Sequence, residues 1–214
     1  MLVDDLRAFV DGLGLETFHL AGFSMGAMTA LRFAIASPKR LRTLLIGGID
    51  TEREPRAAVS RKLMDPVRID RDEAAWAGQL ERRHGPVQGE GAWRRLLPAI
   101  ARDVAEQPLI SPADLSAARV PTLYAVGDRD VFVPLPHAVA LYRQLPDARL
   151  FVAPDCDHQV MVTRPGLFNE AASVFYRSTE EIARARTEGR ALPERSTLRG
   201  PNRAPVPTSM EEES

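Results

Sequence analysis

Ser24 stands at the centre of Gly22-Phe23-Ser24-Met25-Gly26, a G-x-S-x-G pattern. At that spacing a serine occupies a sharp strand-to-helix turn that lifts its hydroxyl out of the backbone. The two flanking glycines are read as letting strand and helix approach closely. A serine hydroxyl is a weak nucleophile at neutral pH and needs a base at hydrogen-bond distance. That base must in turn be held in one tautomer by an acid. Two downstream segments offer the partners: Asp128 and Asp130 follow the apolar run ending at Gly127, and His158 follows the one ending near Ala153. Serine, then acid, then histidine is an order that suits acyl transfer through a covalent serine intermediate.

The other reactive side chains receive blander readings. His19 lies inside the strand before Ser24 and reads as a core or sheet-face residue. His84 sits at the end of a helical segment, where a charged imidazole suits the helix dipole. His137 opens a helix beyond Pro134 and Pro136 and reads as surface. Cys156 has no cationic activator except His158 and reads as a small loop residue. Phe23, Met25 and Met28 either line an acyl pocket or pack the helix, and Trp76 and Trp93 read as packing within helical segments. No His/Cys cluster has metal-ligand spacing, so no metal is expected.

The elements that must position these residues follow from periodicity. Leu2, Leu6, Phe9, Val10 and Leu13 recur at helical spacing, and Gly12 and Gly14 end that helix. A strand over 16–22 leads into the serine turn, and the helix after it stops at Ser37-Pro38. Residues 41–48 form an apolar strand of the kind buried on both faces. Residues 51–117 change character: charge rises, β-branched runs vanish, and helices are expected over 72–83 and 92–106, joined by the Gly/Pro-containing link 84–89. Strand character returns over 121–127, a helix spans 135–145, a strand covers 149–153, and a helix runs from Pro165 into the 180s. Strand and helix alternating in this rhythm mean parallel strands with crossover helices. The organisation expected is thus a core made of 1–50 and 118–186, a helical cap over 51–117, and a disordered tail over 187–214, rich in Pro, Arg, Glu and Ser.

Composition narrows the function. The 214 residues carry a formal net charge of −1, which leaves no electrostatic footprint for nucleic acid. No apolar run approaches the ~18 residues a spanning helix needs, and the first residues lack a secretory signal. The single Cys156 excludes an intramolecular disulfide framework and suits a reducing cytoplasm.

Three ordered motifs carry a resemblance. They are Gly22-Phe23-Ser24-Met25-Gly26, then Val120 to Asp130, then Cys156-Asp157-His158 before an amphipathic helix. Over about residues 2–178 the chain resembles the α/β-hydrolase superfamily, in particular its small bacterial members with a helical lid. The resemblance implies a parallel α/β sheet with a helical cap insertion and cleavage of a small ester-like substrate without cofactor. It also implies Ser24 as acyl-accepting nucleophile, Asp130 rather than Asp128 as the orienting acid, and His158 as general base and then acid. The backbone N–H of Met25 would be one oxyanion donor, and Phe23 would contact substrate.

One departure matters. Only 23 residues precede Ser24, where the family places four further strands and an oxyanion-hole loop. The sheet is therefore expected to be partial, with helix faces meeting water and the strand over 16–22 left without one partner. Two expectations follow: the chain is the C-terminal part of a longer hydrolase, or a short form completed as a homodimer through the open edge. An inactive fragment or a non-catalytic small-molecule binder is the competing class.

Overall fold

Short β-rich runs separated by helix formers give a sheet whose strands all point one way. The computed structural model describes residues 2–191; of the tail expected over 187–214, residues 192–214 lie outside them. Thr187 instead still belongs to the last helix, and the Arg190 N–H donates to the Ala185 carbonyl at its end. The elements are α1 (Leu2–Gly12), β1 (Phe18–Phe23), α2 (Met25–Ala36), β2 (Leu41–Gly47), α3 (Arg56–Leu63), α4 (Pro66–Asp72), α5 (Ala74–Gln88), α6 (Trp93–Glu106), α7 (Pro112–Ala117), β3 (Thr122–Gly127), α8 (Leu135–Gln144), β4 (Ala148–Ala153), α9 (Val160–Thr163) and α10 (Pro165–Thr187). They divide into two units: one of residues 2–50, 111–130 and 134–191, the other of 51–110 with 131–133.

In the first unit four parallel strands lie in the order β1-β2-β3-β4. Phe18 and Phe33 of α2 pack ring to ring at 5.7 Å, whereas the next residue, His19, meets Tyr176 of α10 at 5.4 Å. Successive strand residues point to opposite faces, so α2 and α10 cover opposite sides of the sheet. Every residue of β3 is buried, and only Arg42 of β2 is exposed, which is why those two strands read as continuous apolar runs. Leu45, Leu123 and Phe175 form the core under α10, with Phe151, Phe168 and Tyr176 around them. On α1 only Val10 is buried; Leu2 and Phe9, with Leu13 just beyond, are exposed. β1 has a strand partner on one side only among the described residues.

α7 belongs to this unit and is short, so its ends decide its stability. Ser111 accepts from the Asp114 N–H at 3.1 Å while Asp114 accepts from the Ser111 N–H. Ser111→Ala is expected to cost about 1 kcal/mol of stability, read from denaturant unfolding.

The second unit is helical. Ile69, Leu80, Trp93 and Leu97 form its core, with Met64, Trp76 and Ala77 packed against them. The indole N–H of Trp93 donates to Glu81 at 3.1 Å, so the ring is buried with its polar edge satisfied. The expected link at 84–89 is instead helix as far as Gln88. Pro86 removes only one intrahelical donor, and the true break is Gly89 at φ +91°. The helix expected over 72–83 begins at Ala74, because Asp72 closes the separate α4, whose N-terminus Asp65 caps through the Val67 N–H.

Candidate functional site

The site is assembled at the carboxyl ends of the four strands, the edge where open parallel sheets bind ligands. β1 delivers Ser24, which adopts φ 52° and ψ −118°, a conformation that costs a non-glycine residue about 1–3 kcal/mol. Two hydrogen bonds hold it there: the Ser24 N–H donates to Gly47 at 2.9 Å, and its carbonyl accepts from Met28 at 3.0 Å. Gly22 is required, since a Cβ there would lie 2.4 Å from the Gly26 oxygen. Gly26 is not required for close approach: a Cβ on it meets nothing within 4 Å. The expectation of two matched glycines therefore holds for one of them, the residue whose own α-carbon faces the crossing backbone.

β3 and β4 supply the partners. Asp130 has a fully buried side chain, and its Oδ2 lies 2.8 Å from His158 Nδ1. His158 Nε2 lies 3.2 Å from Ser24 Oγ. An ionised carboxylate only accepts, which assigns the imidazole proton to Nδ1 and leaves the Nε2 lone pair facing the serine hydroxyl. The structure thus brings Ser24, Asp130 and His158 into one hydrogen-bonded line. The Phe23 ring packs beside the imidazole at 4.8 Å between centroids. Met25 is the first residue of α2, where an amide has no intrahelical acceptor, and its side chain is exposed. Met28 is buried in the packing of α2.

Asp128 is the turn residue. Its Oδ1 accepts from the Cys156 N–H at 2.9 Å, and that bond is the largest cause holding its carboxyl below the usual range. Cys156 is buried, and burial, then the Asp157 carboxylate, push its thiol up, away from a nucleophilic thiolate. Asp157 accepts from the Thr163 hydroxyl at 2.8 Å and the Gln159 N–H at 3.0 Å, which hold its carboxyl low.

His137 corrects its surface reading: Nδ1 lies 2.9 Å from Oδ2 of Asp50, whose side chain is fully buried, and only 30% of the histidine side chain is exposed. His19 keeps its sheet-face reading, 2.7 Å from the Thr43 hydroxyl, and His84 lies 3.2 Å from Gln88. Among the described residues no group of three or more His, Cys, Asp or Glu side chains could hold a metal ion, and no helix is long and apolar enough to cross a membrane.

Sequence reasoning passed over Gly48. It adopts φ +66°, and a Cβ there would lie 2.7 Å from the Phe23 ring and 2.8 Å from His158 Cε1. The signal was the Gly47-Gly48 pair at a strand end, where one glycine follows the strand and the second turns it.

A parallel α/β unit with a serine held in a strained turn, facing an imidazole and a buried carboxylate, defines a class that comparison with known proteins resolves. The Alpha/beta hydrolase family matches residues 2–171, and the chain belongs to it. It is 28% identical over 192 residues to 2-hydroxy-6-oxo-6-phenylhexa-2,4-dienoate hydrolase of Comamonas testosteroni, covering 80% of this chain and 67% of that one. It is 27% identical over 190 residues to the 2-hydroxy-6-oxononadienedioate/2-hydroxy-6-oxononatrienedioate hydrolase 2 of Pseudomonas putida, covering 79% and 66%. Among solved structures, a thermophilic esterase from Thermogutta terrifontis superposes with a TM-score of 0.62 at 25% identity, over 83% of this chain and 71% of that one. The chain spans about two thirds of the length of the curated relatives it matches.

Proposed function

We propose that the chain carries the catalytic residues of a serine hydrolase that cleaves a carboxylic ester or related acyl bond. The observation that carries this reading is the hydrogen-bonded line from Asp130 through His158 to Ser24, at 2.8 and 3.2 Å. Ser24 Oγ attacks the acyl carbon while His158 Nε2 takes its proton. The carbonyl oxygen gathers negative charge, and in this reading the Met25 N–H at the start of α2 donates to it. The bond from the acyl carbon to the leaving oxygen then breaks as His158 returns the proton to that oxygen. Water repeats the sequence on the acyl-serine, giving up its proton to His158 and releasing the acid. Asp130 keeps the imidazole in the required tautomer and stabilises the imidazolium. Phe23, beside that ring, is the aromatic neighbour for the bound acyl group.

Fluorophosphonate labelling of the purified chain tests the reading, because only an activated serine reacts. Labelling of the wild type that vanishes in Ser24→Ala and His158→Ala is the expected result. A folded chain that does not label refutes the reading and leaves a non-catalytic binder in its place. The likeness to the Comamonas enzyme favours a second substrate reading, a 2-hydroxy-6-oxo-dienoate. Comparing kcat/KM for such a dienoate and for a p-nitrophenyl ester separates the two.

A further inference from the structure

His158 hangs on a loop, yet every residue of that loop is tied. β4 ends at Ala153, and Pro154-Asp155 turns with Asp155 in the left-handed region at φ 44°. That turn directs two successive carbonyls at one guanidinium: Arg164 Nε donates to the Pro154 oxygen at 3.1 Å and Nη2 to the Asp155 oxygen at 2.7 Å. Arg164 itself stands at the junction of α9 and α10, and its Nη1 donates to the Thr163 carbonyl at 3.3 Å. From the end of β3, the Arg129 N–H donates to the Cys156 carbonyl at 2.9 Å, and the Cys156 N–H donates to Asp128. Asp157 is fixed by Thr163 and Gln159. The side-chain pair Arg129–Asp155, 70% exposed on both partners, adds little.

We propose that Arg164 is a positioning residue for His158: its fork closes the left-handed turn and, with the bonds to Asp128 and Arg129, fixes the point from which the imidazole reaches both Asp130 and Ser24. Arginine suits this post because a planar fork can serve two carbonyls at once, which a lysine ammonium on a flexible stem does less well. The inference rests on the serine-hydrolase reading for its kinetic arm only.

The test is steady-state hydrolysis of a p-nitrophenyl ester by Arg164→Ala, Arg164→Lys and wild type, with thermal unfolding of each. Arg164→Ala is expected to lose about 10- to 100-fold in kcat, the cost of a small misplacement of a catalytic group. Its KM should stay within about twofold, since the contact is not to substrate. Guanidinium chloride at low millimolar concentration should recover part of that rate, and sodium chloride at equal ionic strength should not. Arg164→Lys should fall between the two and supplies the answer if the alanine variant does not fold. Independently of activity, the downfield proton resonance of His158 Nδ1–H should broaden in Arg164→Ala and persist in Ser24→Ala. Wild-type kcat with an unchanged resonance in Arg164→Ala would overturn the proposal. So would a rate loss that tracks lost stability and ignores guanidinium. A folded wild-type chain that neither hydrolyses the ester nor labels with fluorophosphonate refutes the function instead, and the resonance still decides the role of Arg164.

Discussion

Asp130→Asn is expected to lower kcat for a p-nitrophenyl ester by about 10⁴-fold, the scale found when a triad carboxylate becomes an amide. The substitution is isosteric and its site is closed to solvent, so packing is unchanged. What changes is the proton inventory. A carboxylate can only accept from His158 Nδ1, whereas an amide can turn its N–H₂ toward the ring. The imidazole then carries its proton on Nε2, and the lone pair that should take the Ser24 proton is gone. Because the defect is one of tautomer, KM should be nearly unaffected and the unfolding midpoint should move little. Steady-state kinetics beside a thermal melt checks this. A kcat within tenfold of wild type in a folded variant would remove Asp130 from the role proposed for it.

Gly127→Ala is the second large effect, and it acts through backbone. A Cβ at Gly127 would lie 2.2 Å from the carbonyl oxygens of both Cys156 and Asp157 and 2.7 Å from the Cys156 carbonyl carbon. None of these atoms can rotate aside, so the His158 loop must move away from the end of β3. Moving it breaks the bonds from Asp128 N–H to Ala153 and from Arg129 N–H to Cys156. The expected outcome is a stability loss of about 3 kcal/mol from overpacking. A fall in kcat of about 10²-fold should accompany it, because His158 rides on the displaced segment. Denaturant unfolding and kcat measured on the same preparation check both parts. Gly26→Ala is the matched control: it meets open space and sits in a helix, so it should be neutral or slightly stabilising. If the two variants behave alike, the loop is not held against Gly127.

The contrast between those two glycines shows what a chain of letters conveys. The pattern around Ser24 displayed the turn, since an apolar strand, G-x-S-x-G and a run of helix formers are all local features. The sheet was equally legible in β2 and β3, whose burial on both faces leaves unbroken apolar runs. The acid and the histidine were legible as residues just past strand ends. The parts that escaped are relations between distant segments. Nothing near Gly48 in sequence tells that His158 will lie over it, and nothing near His137 reveals Asp50. Arg164 reads as one of many arginines until two carbonyls of another loop converge on it. Proline misled in the other direction: Pro86 looked like a helix end, but tertiary packing of α5 through Leu80 outweighs one missing donor.

The pairing of β2 with β3, Leu44 opposite Thr122 through Gly47 opposite Ala125, sets an order in time. These neighbours in space are separated in the chain by all four helices of the second unit. A stretch that long is costly to close as a flexible loop, and less so once it has gathered into its own helical core. As the chain leaves the ribosome, α3 to α6 can settle on local contacts while β2, the partner of β1, still waits for β3. The acid arrives with the end of β3 and the imidazole only after β4. Ser24 is made before either of the groups that come to face it.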